Sequence, residues 1–221
     1  MSSRLITLPP ERVAEAIEVL ADAFRDYPVM RFVAGGASAM AAPVPGSASR
    51  AGQQHDEAIR ILVTFFVMAR VLRGEPVLGV EITEDGGSVT LAAVATLTLP
   101  GSGDAPDELA RYRDRTWGTL GDEARARYEQ LGLMWSEFHT REPHHHLNMI
   151  GVRRAFAGRG LGRILLDEVH RLSQEDPDSA GVSLTTEDPA NVEIYRHVGY
   201  EVTAEGELPG VLRTWGMFRP T

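Results

Sequence analysis

The stretch Leu147 to Glu168, LNMIGVRRAFAGRGLGRILLDE, constrains the fold more than any other part of the chain. Leu147, Met149, Ile150 and Val152 make a short apolar run, the pattern of a buried strand. Gly158, Gly160 and Gly162 then alternate through a loop. Beyond it Leu161, Ile164, Leu165, Val169 and Leu172 recur at helical spacing, with Arg163, Asp167, Glu168 and Arg171 between them. A glycine loop that opens a helix leaves several backbone N–H groups aimed at one place. Such a place suits an anion, most often a phosphate. A phosphate-bearing ligand held mainly by backbone is therefore expected.

Composition narrows the class of ligand. The 221 residues suffice for one domain with a sizeable core, and 43% hydrophobic with 24% charged residues is ordinary for a soluble globular protein. A formal net charge of -9 argues against a nucleic-acid partner, which needs a basic surface. It suits solubility first, and second the steering of a cationic substrate. Without cysteine there is no disulfide, no thiolate metal site and no cysteine nucleophile, which fits a cytoplasmic protein. The N-terminus MSSRLITLPPE lacks the apolar core of a signal peptide. The longest apolar run, Ile59 to Leu72, holds Thr64 and Arg70 and falls short of the ~20 residues that span a bilayer, so no membrane association is expected.

In chain order, Arg4 to Leu8 reads as a strand, and residues 11–24 as a helix with Val13, Ala16, Ile17, Leu20 and Phe24 on one face. A short apolar piece spans Val29 to Val33. Residues 35–54, small and almost uncharged, read as a flexible insertion, either a spacer or a lid. A helix over His55 to Arg73 and a hairpin of Val77–Thr83 and Ser88–Leu99 follow, and residues 105–141 read as two helices parted near 118–122. After the glycine-loop helix come a strand at Val182–Thr186, a helix at Pro189–Val198 capped by Asp188 and Gly199, and strands at Tyr200–Thr203 and Arg213–Arg219. The expected class is mixed α/β (α+β), one domain over residues 1–221.

Taken alone, the glycine loop could bind several nucleotides. It lacks the third glycine of a Rossmann fingerprint, because Arg163 stands there, and it lacks the Gly-Lys-Ser/Thr of an NTPase phosphate loop. A second motif decides. Asn191, Tyr195, Gly199 and Tyr200 follow the pattern Asn-x-x-x-Tyr-x-x-x-Gly-Phe/Tyr. With Val152 and the loop Ala157-Gly158-Arg159-Gly160-Leu161-Gly162, the chain resembles the GNAT superfamily of acyl-CoA-dependent N-acetyltransferases. Residues 139–219 look, more narrowly, like the puromycin N-acetyltransferase type, through His139-x-x-Glu142-Pro143 and the tail Arg213, Thr214, Trp215, Met217, Arg219. Ala157 departs from the family's usual Gln or Arg at that position.

The resemblance implies a GNAT fold: a mostly antiparallel sheet of six to seven strands, splayed between two parallel strands and flanked by helices. It implies acetyl-CoA as cosubstrate, no metal, and transfer to the primary amine of a small molecule by direct attack in a ternary complex. Proteins or peptides as acceptors, and a non-catalytic acyl-CoA sensor, are the alternatives. Dimers are common in the family, so a homodimer is one state the resemblance allows. Coenzyme contacts are expected from Ile150, Gly151, Val152, Arg153, Arg154, Ala157, Gly158, Arg159, Gly160, Leu161, Gly162, Arg163, Asn191 and Tyr195. The Tyr195 hydroxyl is expected to protonate the leaving thiolate. The general base is expected at His146, with Glu142 second. The run His144-His145-His146 is not expected to bind metal, since successive strand side chains face opposite ways.

Overall fold

The structure is a computed structural model that describes residues 2–103, 105–138, 140 and 142–221. Among these, seven strands form one sheet: β1 (Ser2–Thr7), β2 (Val77–Thr83), β3 (Val89–Thr98), β4 (His145–Val152), β5 (Gly181–Thr186), β6 (Glu201–Leu208) and β7 (Leu212–Pro220). Their order is β1-β2-β3-β4-β5-β7-β6. Neighbours are antiparallel except β4 and β5, which run parallel. The mixed architecture expected from the sequence is the one found.

Helices cover both faces. On one, α1 (Val13–Phe24) and α3 (Arg50–Val71) bring Ala16, Val19, Leu20, Leu62 and Val63 into one cluster with Leu91, Val94 and Met149 of the sheet. On the other, α6 (Leu161–Glu175) sets Leu165 and Val169 among Leu78, Val80, Ala95 and Leu147. A sheet buried on both faces needs successive apolar positions, not alternating ones, and β2 is buried from Val77 through Ile82. The one charge inside that run, Glu81, accepts from Arg4 at 2.7 Å and from Arg12 at 2.6 Å, and these bonds hold its carboxyl below the usual range.

Residues 35–54 correct the expectation of a loop. The apolar piece at Val29 is the start of a helix, α2 (Pro28–Ala41), with Pro28 in its first turn and a kink at Gly36, where φ is 69°. Alanines carry it onward, and Arg31 donates to the carbonyls of Ala39 and Ala42 at its end. Helix α3 begins at Arg50, earlier than expected, because the Ser49 hydroxyl caps it by accepting from Gly52 N–H at 3.0 Å. A Cβ on Gly52 would lie 2.0 Å from the Gly46 carbonyl oxygen, so glycine there lets the connecting turn fold back onto the helix. Composition alone looked like a linker throughout; caps and alanine propensity make residues 35–41 and 50–54 helical, and 42–49 are the non-helical connection between them.

Helices α4 (Asp107–Leu120) and α5 (Asp122–Trp135) break at Gly121, and each opens with an acidic pair that suits its N-terminus. Helix α7 (Pro189–His197) starts after Asp188, whose carboxylate accepts from Ala190 N–H at 2.9 Å. No helix among the described residues is long and apolar enough to cross a membrane.

Candidate active site

The parallel ladder between β4 and β5 has three rungs: His145–Val182, His146–Ser183 and Leu147–Leu184. Past Leu147 the two strands part. On its other edge β4 stays paired with β3 to Val152, and Arg153 N–H continues to the Ala92 carbonyl at 2.8 Å. Backbone N–H groups alternate sides along a strand. Counting back from Arg153, the N–H groups of Val152 and Ile150 face the fork, where no strand meets them.

A cavity of about 650 Å³ opens at this fork. Residues His146 through Val152 form one wall, and Leu184, Thr185, Glu187, Asp188, Asn191 and Tyr195 the other. Tyr195 is 8% exposed, and burial pushes its phenol pKa up, so it stays protonated near neutrality. Asn191 reaches the cavity from one helical turn earlier, with its amide 3.4 Å from Thr186 Oγ1.

The glycine loop follows directly. Gly158 and Gly160 have φ of 74° and 76°, and a Cβ on either would meet no atom within 4 Å. Gly160 is the N-cap of α6, so the opening amides of Leu161 and Gly162 have no helical acceptor, while Arg163 N–H turns back to the Gly160 carbonyl at 3.0 Å. The arginines around the loop have protein partners. Arg153 Nε donates to the Leu91 carbonyl at 2.9 Å. Arg154 pairs with Asp26 at 2.9 Å and donates to the Asp22 carbonyl, fastening α1 to the end of β4. The Arg159 guanidinium lies 5.1 Å from the centre of the Phe156 ring. Arg163 pairs with Asp167 at 2.7 Å.

The three histidines diverge, as strand geometry requires. His145 is buried and bonded to Ser179 Oγ at 3.0 Å. His146 faces the cavity and contacts Ser183 Oγ at 2.7 Å. Burial lowers its pKa to about 4, too low to retain a proton taken from an ammonium at neutral pH. Glu142 is exposed in the turn before β4 and does not line the cavity. His139 lies outside the described residues.

Among the cavity residues that sequence reasoning did not assign to the site are Glu187, Tyr27 and Arg70. Glu187 follows β5 and precedes the cap of α7. An acid at the carboxyl end of a parallel strand, where ligands gather in α/β sheets, was the available signal. Tyr27, in the connection between α1 and α2, and Arg70, on α3, are distant in sequence from the fork, and nothing local marks them.

Comparison with known proteins places this geometry. The architecture is the GNAT fold. Residues 124–211 match a family model described as an acetyltransferase (GNAT) domain. Among solved structures, one from Corynebacterium glutamicum, described as histone acetyltransferase HPA2 and related acetyltransferase, superposes with a TM-score of 0.62 at 16% identity, covering 100% of this chain and 98% of that one. A mosquito arylalkylamine N-acetyltransferase like 5b gives 0.56 at 13%, with 100% of both chains covered. The NatC complex bound to Gag peptide and CoA gives 0.53 at 10%, covering 100% and 99%.

Proposed function

We propose that the chain transfers the acetyl group of acetyl-CoA to a primary amine of a small molecule, by direct attack with both substrates bound. The observation that carries this reading is the fork itself: a ladder that stops after Leu147, beside a glycine loop and with a buried phenol at its mouth. One similar structure is described as bound to CoA, and the narrower resemblance to the puromycin N-acetyltransferase type favours a small acceptor.

Each part has a stated task. Coenzyme A brings an acetyl thioester, a pyrophosphate and an arm with two amides. The opening amides of α6, with Gly158 and Gly160 leaving the approach open, hold the pyrophosphate. The N–H groups of Ile150 and Val152 receive the arm in place of the missing strand. One of them donates to the thioester carbonyl oxygen as charge grows there, an effect worth about 3 kcal/mol at comparable sites. Tyr195, kept protonated by burial, gives its proton to the departing sulfur. Asn191 orients the arm.

Calorimetric titration with coenzyme A and thiol release from acetyl-CoA across a panel of amines test this directly. Tyr195→Phe keeps the ring and removes the hydroxyl. Turnover should fall roughly 10²- to 10⁴-fold while coenzyme affinity holds. Undiminished turnover removes Tyr195 from the mechanism, and absence of coenzyme binding sinks the reading.

A further inference from the structure

Three glutamates are buried among the described residues: Glu75, Glu81 and Glu187. The fold neutralises the first two with arginine. Glu81 takes Arg4 and Arg12, and Arg70 Nε stands 3.4 Å from Glu75. Glu187 is as buried, at 7%, yet its partners are neutral. Its Oε1 accepts from the Thr214 hydroxyl at 2.6 Å, the phenol of Tyr27 stands beside it, and the Trp135 indole N–H faces it without closing a hydrogen bond. No ion pair to it is found among the described residues. A buried carboxylate without a cation is costly to keep in a fold. Glu187 is also the buried glutamate that opens onto the cavity at the fork, on the same wall as Tyr195.

Six aromatic side chains make up much of the rest of that cavity, with Ala23, Val29, Met30 and Arg70 beside them. Phe24, Tyr27, Phe66, Tyr128, Trp135 and Phe138 line it. Phe24 meets Tyr27 edge-on at 5.0 Å, and Phe66 and Tyr128 stand 5.7 Å apart. Such walls accept a flat apolar ring, and their faces attract a cation. The other charges on the cavity do not oppose a cation strongly: Arg70 is engaged by Glu75 and Thr98, and His146 is neutral.

From these two observations we infer that Glu187 is the missing half of an ion pair completed by the acceptor's ammonium, and that the acceptor is an aryl-bearing primary amine whose ring lies in the aromatic chamber. This rests on the transfer reading above. The carboxylate binds R–NH3+ and takes one proton, leaving R–NH2. The nitrogen lone pair forms the C–N bond as the C–S bond breaks. Tyr195 supplies a proton to sulfur and recovers the second nitrogen proton. Glu187 then releases its own to solvent, so the products are amide, thiol and one proton. Burial, which raises the Glu187 carboxyl pKa, makes it a stronger base than an exposed glutamate.

The test titrates wild-type protein with 2-phenylethylamine, n-butylamine and 2-phenylethanol, with and without coenzyme A. The phenyl amine should bind roughly ten- to a hundredfold more tightly than either analogue. Its binding should weaken on acidification as Glu187 takes up a proton. Tyr27, Tyr195, Thr214 and Trp135, which face this carboxyl, do not change charge there, Arg70 keeps its own, and Asp188, which also lines the cavity, is left intact in the Glu187→Gln control. Since His146 gains charge only near pH 4, Glu187→Gln must remove the acid limb with His146 intact. Glu187→Gln should also erase the preference for amine over alcohol, and Glu187→Asp should restore part of it. Unchanged amine affinity and an unchanged acid limb in Glu187→Gln overturn the inference, as does equal binding of the three probes by wild type. Coenzyme binding that survives such a result leaves the transfer reading standing. Amine discrimination without coenzyme binding sinks the transfer reading alone.

Discussion

The backbone N–H of Glu187 donates to the phenol oxygen of Tyr27 at 3.0 Å, joining residues 160 positions apart. The same oxygen lies 3.0 Å from Thr186 Oγ1. One hydroxyl thus ties the approach to α2 to the end of β5 and fixes where the Glu187 carboxylate sits. Tyr27→Phe leaves a buried N–H without an acceptor. It should cost about 1–3 kcal/mol in denaturant unfolding, more than Tyr195→Phe, whose hydroxyl closes no hydrogen bond among the described residues. Equal losses in the two variants would remove Tyr27 from its clamping role.

Two glycines of the same stretch should fail in different ways. A Cβ on Gly151 would stand 2.7 Å from the Ala23 Cβ and 3.1 Å from Leu20 Cδ2, so Gly151→Ala pushes α1 off the sheet. A loss of about 1–3 kcal/mol is expected from such overpacking. Gly158→Ala meets open space and carries only the cost of positive φ, about 1–2 kcal/mol. Its larger effect should be on coenzyme affinity. Paired melting curves and coenzyme titrations separate the two; coenzyme affinity untouched by Gly158→Ala would remove that residue from the cradle.

Arg154 is more useful as a fastener than as a phosphate contact. Its pair with Asp26 and its bond to the Asp22 carbonyl are half-exposed, so Arg154→Ala should cost no more than about 1 kcal/mol. Coenzyme KM should stay within about twofold, since the interaction lost is a surface pair rather than a ligand contact. A tenfold rise in KM would mean that the guanidinium leaves Asp26 for the coenzyme.

Acid should weaken the fold through its buried histidines. His146 and His170 have pKa values lowered by burial to about 4, against 6.5 for the free side chain. Unfolding lets both take up protons more readily. The stability gained by keeping them neutral is complete above pH 6.5 and is lost as pH falls from 6.5 toward 4. For His170, which is 7% exposed, the loss is on the order of 3 kcal/mol. Glu187 acts with the opposite sign, because its raised carboxyl is favoured once protonated. Urea unfolding at pH 7 and pH 4.5 should show a smaller difference in His170→Gln than in wild type; an equal difference would relieve His170 of this role.

The sequence disclosed what is local and left obscure what is assembled. The glycine loop, the cap at Asp188 and the hairpin at Gly86–Gly87 each carry their own signature within a few residues, and each stands where it was expected. Tyr195 was found through a motif of fixed spacing, and the cavity receives it. Residues 35–54 misled because alanine and glycine are shared by linkers and helices, and only the bonds of Arg31 and Ser49 tell them apart. Glu187 was missed for another reason. Its meaning comes from the absence of an arginine beside it, and from aromatic side chains on α1, α3 and α5 that only the fold brings near.

The ladder that stops at Leu147 makes the middle of the sheet its weakest seam. Three backbone rungs and the side-chain bonds of His145 to Ser179 and His146 to Ser183 join the β1-to-β4 half to the β5-to-β7 half, with Tyr27 as a separate stitch. A bound arm that supplied further rungs would act as a removable structural strand. Any ligand that binds only the folded state adds to its stability in proportion to the logarithm of its concentration. The cohesion of this sheet would then rise and fall with the supply of coenzyme. Amide exchange at Ile150 and Val152 would report that supply residue by residue.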